Sequence, residues 1–290
     1  MSGGEVSGDE GAFIGAGAVV LPKLEVRAWS TVGAGPVVAR DCPFRQDCFW
    51  QPGKREMLFG ITIATYRRRD NRTPAKLARC LQSINRQSYP NWRAFLIGDH
   101  YEPEAEFIEL SKQVPTEKCV AINLPVATER ETLKLTGPAL WSCGGTNAMN
   151  HALKLQRQEG IRYTTHLDDD DYWKPNHLEV LMKAYQENPK LAFVYTQAFH
   201  LGKVMPSVAA DFGQFPNNLL PRAAGLVHSS ASWDINQIPF SYTNCIAELK
   251  QNFPTDAYMW TKIAAHCSAN ELPTMFIPMI TMVHGESGFW

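Results

Sequence analysis

The chain of 290 residues has no excess of charge of either sign, because 28 Lys and Arg residues oppose 29 Asp and Glu residues and leave a formal net charge of -1. Binding to nucleic acid or to an anionic membrane surface usually requires a basic surface or a basic arm. The composition indicates neither, and we expect no nucleic acid partner.

The sequence also lacks any run of about 18 apolar residues, the length that a membrane-spanning helix requires. Positions 1–10 are rich in Gly and acidic residues, unlike the basic and then apolar start of a signal peptide. The seven cysteines are scattered and form no C-x-x-C pair, which argues against a zinc site and a disulfide framework. These absences predict a cytoplasmic protein with reduced thiols and no transmembrane segment.

A six-residue period is present near the N-terminus. Its aliphatic positions are Ile14, Val20, Val26, Val32 and Val38. Such a period predicts a solenoid in which each hexad supplies one short parallel strand. The stretch resembles the closing coils of a hexapeptide-repeat acyltransferase with a left-handed β-helix, and residues 32–41 and 51–54 resemble that family's exit. Acyl transfer in that family uses a histidine, whereas the first histidine here is His100.

We therefore predict that residues 1–55 form a β-helix stub and linker rather than an acyltransferase. A flexible leader is the open alternative. Because about three or more repeats are needed to bury the faces of a solenoid, the stub is expected to pack on the main domain or to self-associate into a homo-oligomer.

From Met57 onward, strand and helix patterns alternate over a predicted second domain, residues 56–290. The predicted strands cover 58–64, 95–97, 120–124, 163–167 and 191–195, and the predicted helices begin at Thr73 and cover 147–156 and 175–187. Alternation of this kind predicts an α/β fold with a mostly parallel central sheet. Ligands bind such sheets beyond the carboxyl ends of the strands.

Four consecutive carboxylates, Asp168, Asp169, Asp170 and Asp171, follow the predicted strand that ends at Leu167. Adjacent anions repel each other, so the run must be either a solvated turn or a site where a divalent cation neutralises it. Hard oxygen ligands suit Mg²⁺, Mn²⁺ or Ca²⁺. An EF-hand is excluded because Trp173 stands where its loop requires glycine.

The pattern Leu-Asp-x-Asp-Asp at 167–171 resembles the DxD metal motif of inverting family 2 glycosyltransferases, which have the nucleotide-diphosphosugar transferase (A-type) fold. The segment from Ile63 to Trp92 is similar to that family's first strand, helix and turn. The resemblance implies that Thr65, Tyr66 and Arg67 contact the nucleotide.

Two further matches follow in the family's order. Asp99 ends the second strand where the family has two acids, and the resemblance implies that it contacts the base or ribose. Gly145 to Leu153 resembles the family's Gly-x-x-x-Ala-Arg-Asn-x-Gly helix start and implies a donor contact for Asn150. Met149 replaces the family's arginine, so Arg67 or Arg72 is the candidate to supply the missing guanidinium.

Toward the C-terminus, residues 254–260 resemble the motif that supplies the family's general base. Thr255 replaces the usual first acid, but Asp256 is kept; its alternative role is to cap a helix. Residues 283–287 resemble the tail of related enzymes, in which a histidine approaches the metal or diphosphate. The resemblance therefore implies this contact for His284, and the alternative is a structural histidine.

Together these residues imply transfer of a sugar, with inversion, from a nucleotide-diphosphate donor to an acceptor hydroxyl on a glycan, lipid-linked or protein acceptor. Mn²⁺ or Mg²⁺ would be bound by Asp170, Asp168 and His284, with Asp168 and Asp169 also on the donor side and Asp256 as base. Candidate aromatics for stacking on sugar faces are Trp173, Trp233, Tyr242 and Trp260.

Two alternatives remain open. A sugar-phosphate nucleotidyltransferase also combines an α/β nucleotide fold with a solenoid, but its Gly-x-Gly-Thr-Arg loop is replaced here by residues 64–67. A non-catalytic glycan-binding or assembly module would explain the changed positions Gly98, Met149 and Thr255.

Overall fold

The computed structural model describes residues 57–207, 221, 225–244, 247–249 and 253–285, together with the backbone of seven two-residue strands between positions 7 and 48. The chain divides into two compact units, Met1–Met57 and Leu58–Trp290. Glu286 and Ser287 of the C-terminal motif lie outside the described residues.

The first unit contains only short strands among its described residues. They are β1 (Ser7–Gly8), β2 (Phe13–Ile14), β3 (Val19–Val20), β4 (Glu25–Val26), β5 (Thr31–Val32), β6 (Val37–Val38) and β7 (Asp47–Cys48). Parallel pairs join β1 to β4, β2 to β5 and β3 to β6. The side chains of this unit lie outside the described part of the chain, as do the segments between the strands, so the β-helix stub and its acyltransferase resemblance stay predictions.

The second unit alternates strands and helices in its first half. Its strands are β8 (Phe59–Thr65), β9 (Trp92–Gly98), β10 (Cys119–Asn123), β11 (Tyr163–His166), β12 (Tyr172–Trp173), β13 (Phe193–His200), β14 (Lys203–Met205), β15 (Ala231–Asp234) and β16 (Thr274–Val283). Its α-helices are α1 (Thr73–Asn85), α2 (Glu104–Ser111), α3 (Gly137–Cys143), α4 (Thr146–Gln158), α5 (His177–Glu187) and α6 (Thr255–Ala269).

These nine strands form one sheet in the order β10-β9-β8-β11-β15-β13-β16-β12, with β14 paired to β13. The neighbours β10, β9, β8 and β11 are parallel, as are β13 and β16. Antiparallel pairing enters through β12, β14 and β15. The longest ladders are parallel, so the prediction of an α/β fold with a mostly parallel sheet is confirmed for this unit.

The predicted strands and helices lie where the sequence places them, although their ends differ. The strand predicted at 191–195 runs on to His200, because its second half pairs with β14 and β16. The helix predicted to begin at Thr73 does so: Arg72 precedes α1 and Thr73 is its first residue. The Thr73 hydroxyl accepts a hydrogen bond from the Arg68 N–H at 2.9 Å, which fixes the loop after β8.

The side chains of β8 are buried on both faces of the sheet, as expected of a strand in its interior. Phe59, Ile61 and Ile63 are fully buried on one side of this strand, and Gln156 of α4 donates to the Thr62 hydroxyl on the other at 2.7 Å. A second cluster surrounds Trp233, whose ring meets that of Trp260 edge to face at 5.8 Å. No helix among the described residues is long and apolar enough to cross a membrane.

Candidate active site

A cleft of about 560 Å³ opens at the carboxyl ends of β8, β9 and β11. Parallel strands bring their carboxyl ends to one edge, so residues distant in sequence meet there. The predicted site residues that line the cleft are Thr65, Tyr66, Asp99, Asp168, Asp169, Asp170, Asp256 and His284. Arg67 and Asn150, which were also predicted to contact the donor, do not line it.

One end of the cleft is built from Tyr66, Asp99 and Arg130. The Arg130 guanidinium lies over the Tyr66 ring, 3.8 Å from its centroid, and donates to Asp99 Oδ2 at 2.7 Å. Asp99 is 1% exposed, and its Oδ1 atom has no hydrogen-bond partner among the described residues. Burial raises the pKa of Asp99 to about 6, and the Arg130 charge opposes that rise. This end therefore presents an aromatic face and a guanidinium, and the buried Asp99 carboxylate beside them has one oxygen without a hydrogen-bond partner among the described residues.

The structure places the positive charge of the cleft on different arginines from those proposed. Arg67 is directed to Glu106, with its Nε 2.6 Å from Oε1, and Arg72 pairs with Asp70. Arg68 and Arg130 line the cleft. Arg130 lies in a short turn at Thr128–Thr132, which sequence patterns did not identify as part of a site.

Asp169 is tied to the loop after β8. Its Oδ2 accepts from the Thr65 hydroxyl at 2.7 Å, and its Oδ1 accepts from Arg68 Nη2 at 2.8 Å. Burial raises the pKa of Asp169, with the Arg68 charge acting against it. Both oxygens are thus engaged in holding two loops together, which makes Asp169 a supporting residue at this site.

Asp170 is partly exposed at the cleft and lies next to a cation. Its side chain is 23% exposed, and Oδ2 lies 3.3 Å from Lys76 Nζ. Its backbone carbonyl accepts from Arg79 Nη2 at 3.1 Å, and the same nitrogen donates to the Gly285 carbonyl. A partly exposed oxygen donor in a cleft fits a hard divalent ion.

His284 contacts Asp171 rather than the predicted metal ligands. Its Nδ1 lies 2.9 Å from Asp171 Oδ1, and the Gly285 N–H donates to the same oxygen at 3.0 Å. Ser229 donates to Asp171 Oδ2 at 2.6 Å. Burial raises the pKa of Asp171 to about 6, opposed by the bond with His284. Asp171 therefore anchors the C-terminal segment beneath the cleft.

Asp168 faces a pair of histidines. His166 Nε2 and His228 Nδ1 lie 3.1 Å and 3.4 Å from Asp168 Oδ1, and the two rings stack with centroids 3.7 Å apart. Burial lowers the pKa of His166 to about 4. Burial also acts to lower the pKa of His228, but the charge of Asp168 and its hydrogen bond, together with the charges of Asp256 and Asp171, raise that pKa overall. No sequence signal identified either histidine.

The three groups His166, Asp168 and His228 each offer a ligand atom within 4.8 Å of the other two. In the part of the chain that the structure describes, no other set of three or more His, Cys, Asp or Glu side chains meets that criterion. Asp168, Asp170 and His284, predicted as metal ligands, are therefore not brought together as a protein-only ligand set.

Asp256 lies in the first turn of α6 and lines the cleft. Its carboxylate accepts from the N–H groups of Ala257 and of Asp256 itself. Burial raises the pKa of Asp256, and the charge of His228 acts against the rise. The side chain thus combines helix-end bonding with a position in the cleft, so both roles weighed from the sequence are compatible with its geometry.

Asn150 has a structural contact, and its donor contact stays a prediction. Its side chain forms a reciprocal pair with the backbone of Tyr242, donating to the carbonyl and accepting from the N–H, each at 2.9 Å. Met149, where the family has arginine, lines the cleft and is 6% exposed.

The four aromatics proposed for sugar stacking are all buried. Trp173, Trp233, Tyr242 and Trp260 are each at most 4% exposed. Trp141, on α3, lines the cleft and is 67% exposed. An exposed tryptophan in a short apolar helix was not separable by sequence from a core residue.

Comparison with known proteins shows the family. The family described as Glycosyl transferase family 2 matches residues 141–223, which include the acidic run. An uncharacterized glycosyltransferase of Acanthamoeba polyphaga mimivirus is 40% identical over 241 residues, covering 80% of this chain and 96% of that protein.

Among solved structures, S. aureus TarS has a TM-score of 0.56 at 13% identity, covering 79% of this chain and 36% of that chain. TarS 1–349 in complex with UDP has a TM-score of 0.56 at 14% identity, covering 78% of this chain and 60% of that one. The chain thus spans about a third to three fifths of these structures, and the likeness concerns the fold, which confirms the A-type glycosyltransferase architecture. With the sequence relative matched over nearly its whole length, the chain belongs to glycosyltransferase family 2.

Proposed function

We propose that this glycosyltransferase moves a sugar from a nucleotide-diphosphate donor to an acceptor hydroxyl in one displacement, with inversion at the anomeric carbon. The observation that carries the proposal is the meeting of three groups in one cleft: the Tyr66, Asp99 and Arg130 cluster, the Asp170 carboxylate and the Asp256 carboxylate. Each comes from a different part of the chain, and the fold brings them to one cleft.

The nucleobase is proposed to lie against Tyr66. Its ring and the Arg130 guanidinium form a stack at 3.8 Å, and flat groups of this kind suit a heteroaromatic ring. The unpartnered Oδ1 of Asp99 can accept an N–H from the base edge or a hydroxyl from ribose. An unpaired buried oxygen is costly, and a bound donor would satisfy it.

The diphosphate is proposed to lie at Asp170, where Mn²⁺ or Mg²⁺ would be held by that carboxylate together with donor oxygens. A divalent ion so placed neutralises charge on the departing nucleotide diphosphate. Lys76 lies 3.3 Å from Asp170 and positions that carboxylate. Arg68 contributes a second positive charge to the cleft while it orients Asp169.

Asp256 is proposed to accept the proton of the acceptor hydroxyl as that oxygen attacks the anomeric carbon. A sugar hydroxyl is a weak nucleophile until its proton is removed, so a positioned base is needed. Burial raises the pKa of Asp256, which makes its carboxylate a stronger base. The N–H groups at the start of α6 hold the carboxylate in place.

The test replaces Asp170 and Asp256 separately by Asn and measures release of nucleoside diphosphate and glycosylated product. Uridine diphosphate sugars come first in the donor panel, because the solved TarS 1–349 structure is in complex with UDP. Loss of a general base costs about 10²–10⁴-fold in rate, and we expect losses of this order in product formation for both variants. Thr261→Ser, on the same helix as Asp256 and outside the cleft, is the matched control. Near wild-type transfer by both Asn variants would refute the site assignment.

The acceptor is proposed to be a glycan, a lipid-linked sugar or a glycosylated protein, entering past Trp141. The N-terminal unit is proposed as a repeat stub that joins copies of the chain, within the predicted division at residues 1–55 and 56–290. Sedimentation of the full chain and of a chain starting at Met57 would show whether association depends on that unit.

A further inference from the structure

A buried glutamate joins the two ends of the cleft without lining it. Glu129 is fully buried and lies in the turn Thr128–Thr132, directly before Arg130. It is not among the described residues that line the cleft. Glu129 can therefore act on the reaction only through the segments that it holds.

The first of these segments is the start of α4. Glu129 Oε1 accepts from the Asn147 N–H at 3.0 Å. This N–H belongs to the first turn of a helix, where the donors have no partner within the helix and the partial positive charge favours a carboxylate. The Leu135 N–H donates to the Glu129 carbonyl at 2.9 Å. The side chain and the backbone of Glu129 therefore both fix the turn that carries Arg130.

The second segment leads to Asp256. Asn244 Nδ2 donates to the same Oε1 atom of Glu129 at 3.0 Å. The neighbouring Thr243 N–H donates to the Thr255 hydroxyl at 3.1 Å, and that hydroxyl donates to the Thr243 carbonyl at 2.8 Å. Thr255 is the first residue of α6 and directly precedes Asp256. Hydrogen bonds therefore connect the glutamate with the residue next to the proposed base.

The two oxygens of this carboxylate are bonded unequally. Both bonds fall on Oε1, whereas Oε2 is buried and has no hydrogen-bond partner among the described residues. An unpaired buried oxygen costs stability, so an acceptor that served stability alone would be bonded through both oxygens. The shared oxygen instead holds a donor of α4 and a donor of the segment before α6 at one point, next to Arg130.

We propose that Glu129 is a positioning residue that couples nucleotide binding at Tyr66 and Arg130 to the placement of Asp256. A nucleotide that packs against Arg130 restrains its turn, and the Glu129 carboxylate passes that restraint to Asn244 and the start of α6. Hydrogen-bond networks of this kind can carry energetic coupling between sites, and such coupling is reciprocal. The inference rests on the proposed function, because it concerns how the two ends of one cleft act together.

The test measures binding of UDP and GDP by calorimetry, with Mn²⁺ and without acceptor, and transfer kinetics with the donor panel. Asn244→Ala removes a bond on the Asp256 side, yet it should weaken nucleoside diphosphate binding about fivefold and lower kcat about 10–100-fold. Glu129→Ala should have the same two effects. Glu129→Gln keeps an oxygen that can accept both bonds and should restore most of the affinity and of kcat. Since both Ala variants break the same link, their effects should not add in the double variant.

Amide hydrogen exchange supplies a second measurement. Binding of the nucleoside diphosphate should slow exchange in the first turn of α6 in the wild type but not in Glu129→Ala. A residue that only supports the local fold would change the thermal midpoint, and exchange without nucleotide, but not this response to nucleotide.

Asn270→Ala is the matched control for Asn244→Ala. Asn270 follows the other end of α6 and donates to the His266 carbonyl outside the cleft, so this variant should bind nucleotide and transfer sugar as the wild type does. Circular dichroism checks the folding of each variant. If Glu129→Ala does not fold, Asn244→Ala and Thr255→Val decide the question, because both keep Glu129 and break the connection beyond it.

The coupling is overturned if the folded Ala variants bind nucleotide as tightly as the wild type, which would leave Glu129 as a structural acceptor. It is also overturned if nucleotide does not change exchange in α6 of the wild type. In both cases Asp170→Asn and Asp256→Asn would still lose transfer, so this failure is distinct from failure of the proposed function. A wild type that binds no nucleoside diphosphate and transfers no sugar would refute both.

Discussion

Asp99 is expected to lower the stability of the folded chain at neutral pH, so Asp99→Asn should raise it. Burial takes the pKa of this carboxyl from 3.8 to about 6. A group whose pKa is raised in the fold stabilises the native state when protonated. That contribution is fully present below the unfolded pKa of 3.8 and is lost as pH rises through about 6.

The magnitude follows from the size of the shift. A difference of about 2.2 pKa units at about 1.36 kcal/mol per unit corresponds to about 3 kcal/mol in the free energy of unfolding. Near pH 4 the carboxyl of Asp99 is protonated and the variant's amide resembles it, so the two proteins should have similar stability. At pH 8 the variant should be more stable by up to about 3 kcal/mol.

Urea unfolding at pH 4 and pH 8 measures this difference. Asp171, whose pKa is also about 6, is present in both proteins, so its contribution to the pH dependence of stability cancels in the comparison. Asp70→Asn is the control with the opposite sign: the backbone N–H of Arg72 lowers the pKa of exposed Asp70, so that variant should lose stability at pH 8 relative to pH 4. If Asp99→Asn is no more stable than the wild type at pH 8, the Asp99 carboxylate is not desolvated in the fold, and the proposal that its Oδ1 binds the donor fails.

Two substitutions test the walls of the cleft. A Cβ at Gly285 would lie 1.7 Å from the Asp170 carbonyl oxygen. Gly285→Ala should therefore lower the free energy of unfolding by about 1–3 kcal/mol, measured by thermal unfolding, and should slow donor turnover. If stability and turnover are both unchanged, the close approach of Gly285 to Asp170 is contradicted. Trp141 is 67% exposed, so Trp141→Ala should leave the midpoint of thermal unfolding unchanged. The same variant should raise the KM for the acceptor about fivefold, which corresponds to a stacking energy of about 1 kcal/mol. An unchanged KM would show that the acceptor does not contact Trp141.

Features that depend on local sequence could be predicted. The acidic run follows the strand that ends at His166, and its position at the sheet edge follows from alternation of strands and helices. Asp99 could be placed for the same reason, because it directly follows β9. Each inference needed only the adjoining strand and the rule that ligands bind at the carboxyl ends.

Contacts across the fold could not be predicted in this way. Arg130 reaches Asp99 from a π-helical turn, an element without a sequence period. His228 reaches Asp168 from 60 positions farther along the chain, and one sequence carries no signal that pairs them. Arg67 shows the same limit, because Glu106 of α2, a helix that was not predicted, holds its guanidinium. The donor contact of Arg67 stays a prediction.

The four aspartates have different roles because each has different partners, and this distinction lies in the tertiary structure. Asp169 and Asp171 are buried at 3% and 0% exposure and hold neighbouring segments together. Asp168 faces two imidazoles, and Asp170 faces Lys76 and the cleft. The partners limit what each carboxylate can do: Asp170 keeps a hard oxygen ligand that suits an ion arriving with the donor, whereas Asp168 Oδ1 is engaged by two imidazoles. A run of identical residues is thus divided into two buried carboxylates that hold segments together and two partly exposed ones that line the cleft.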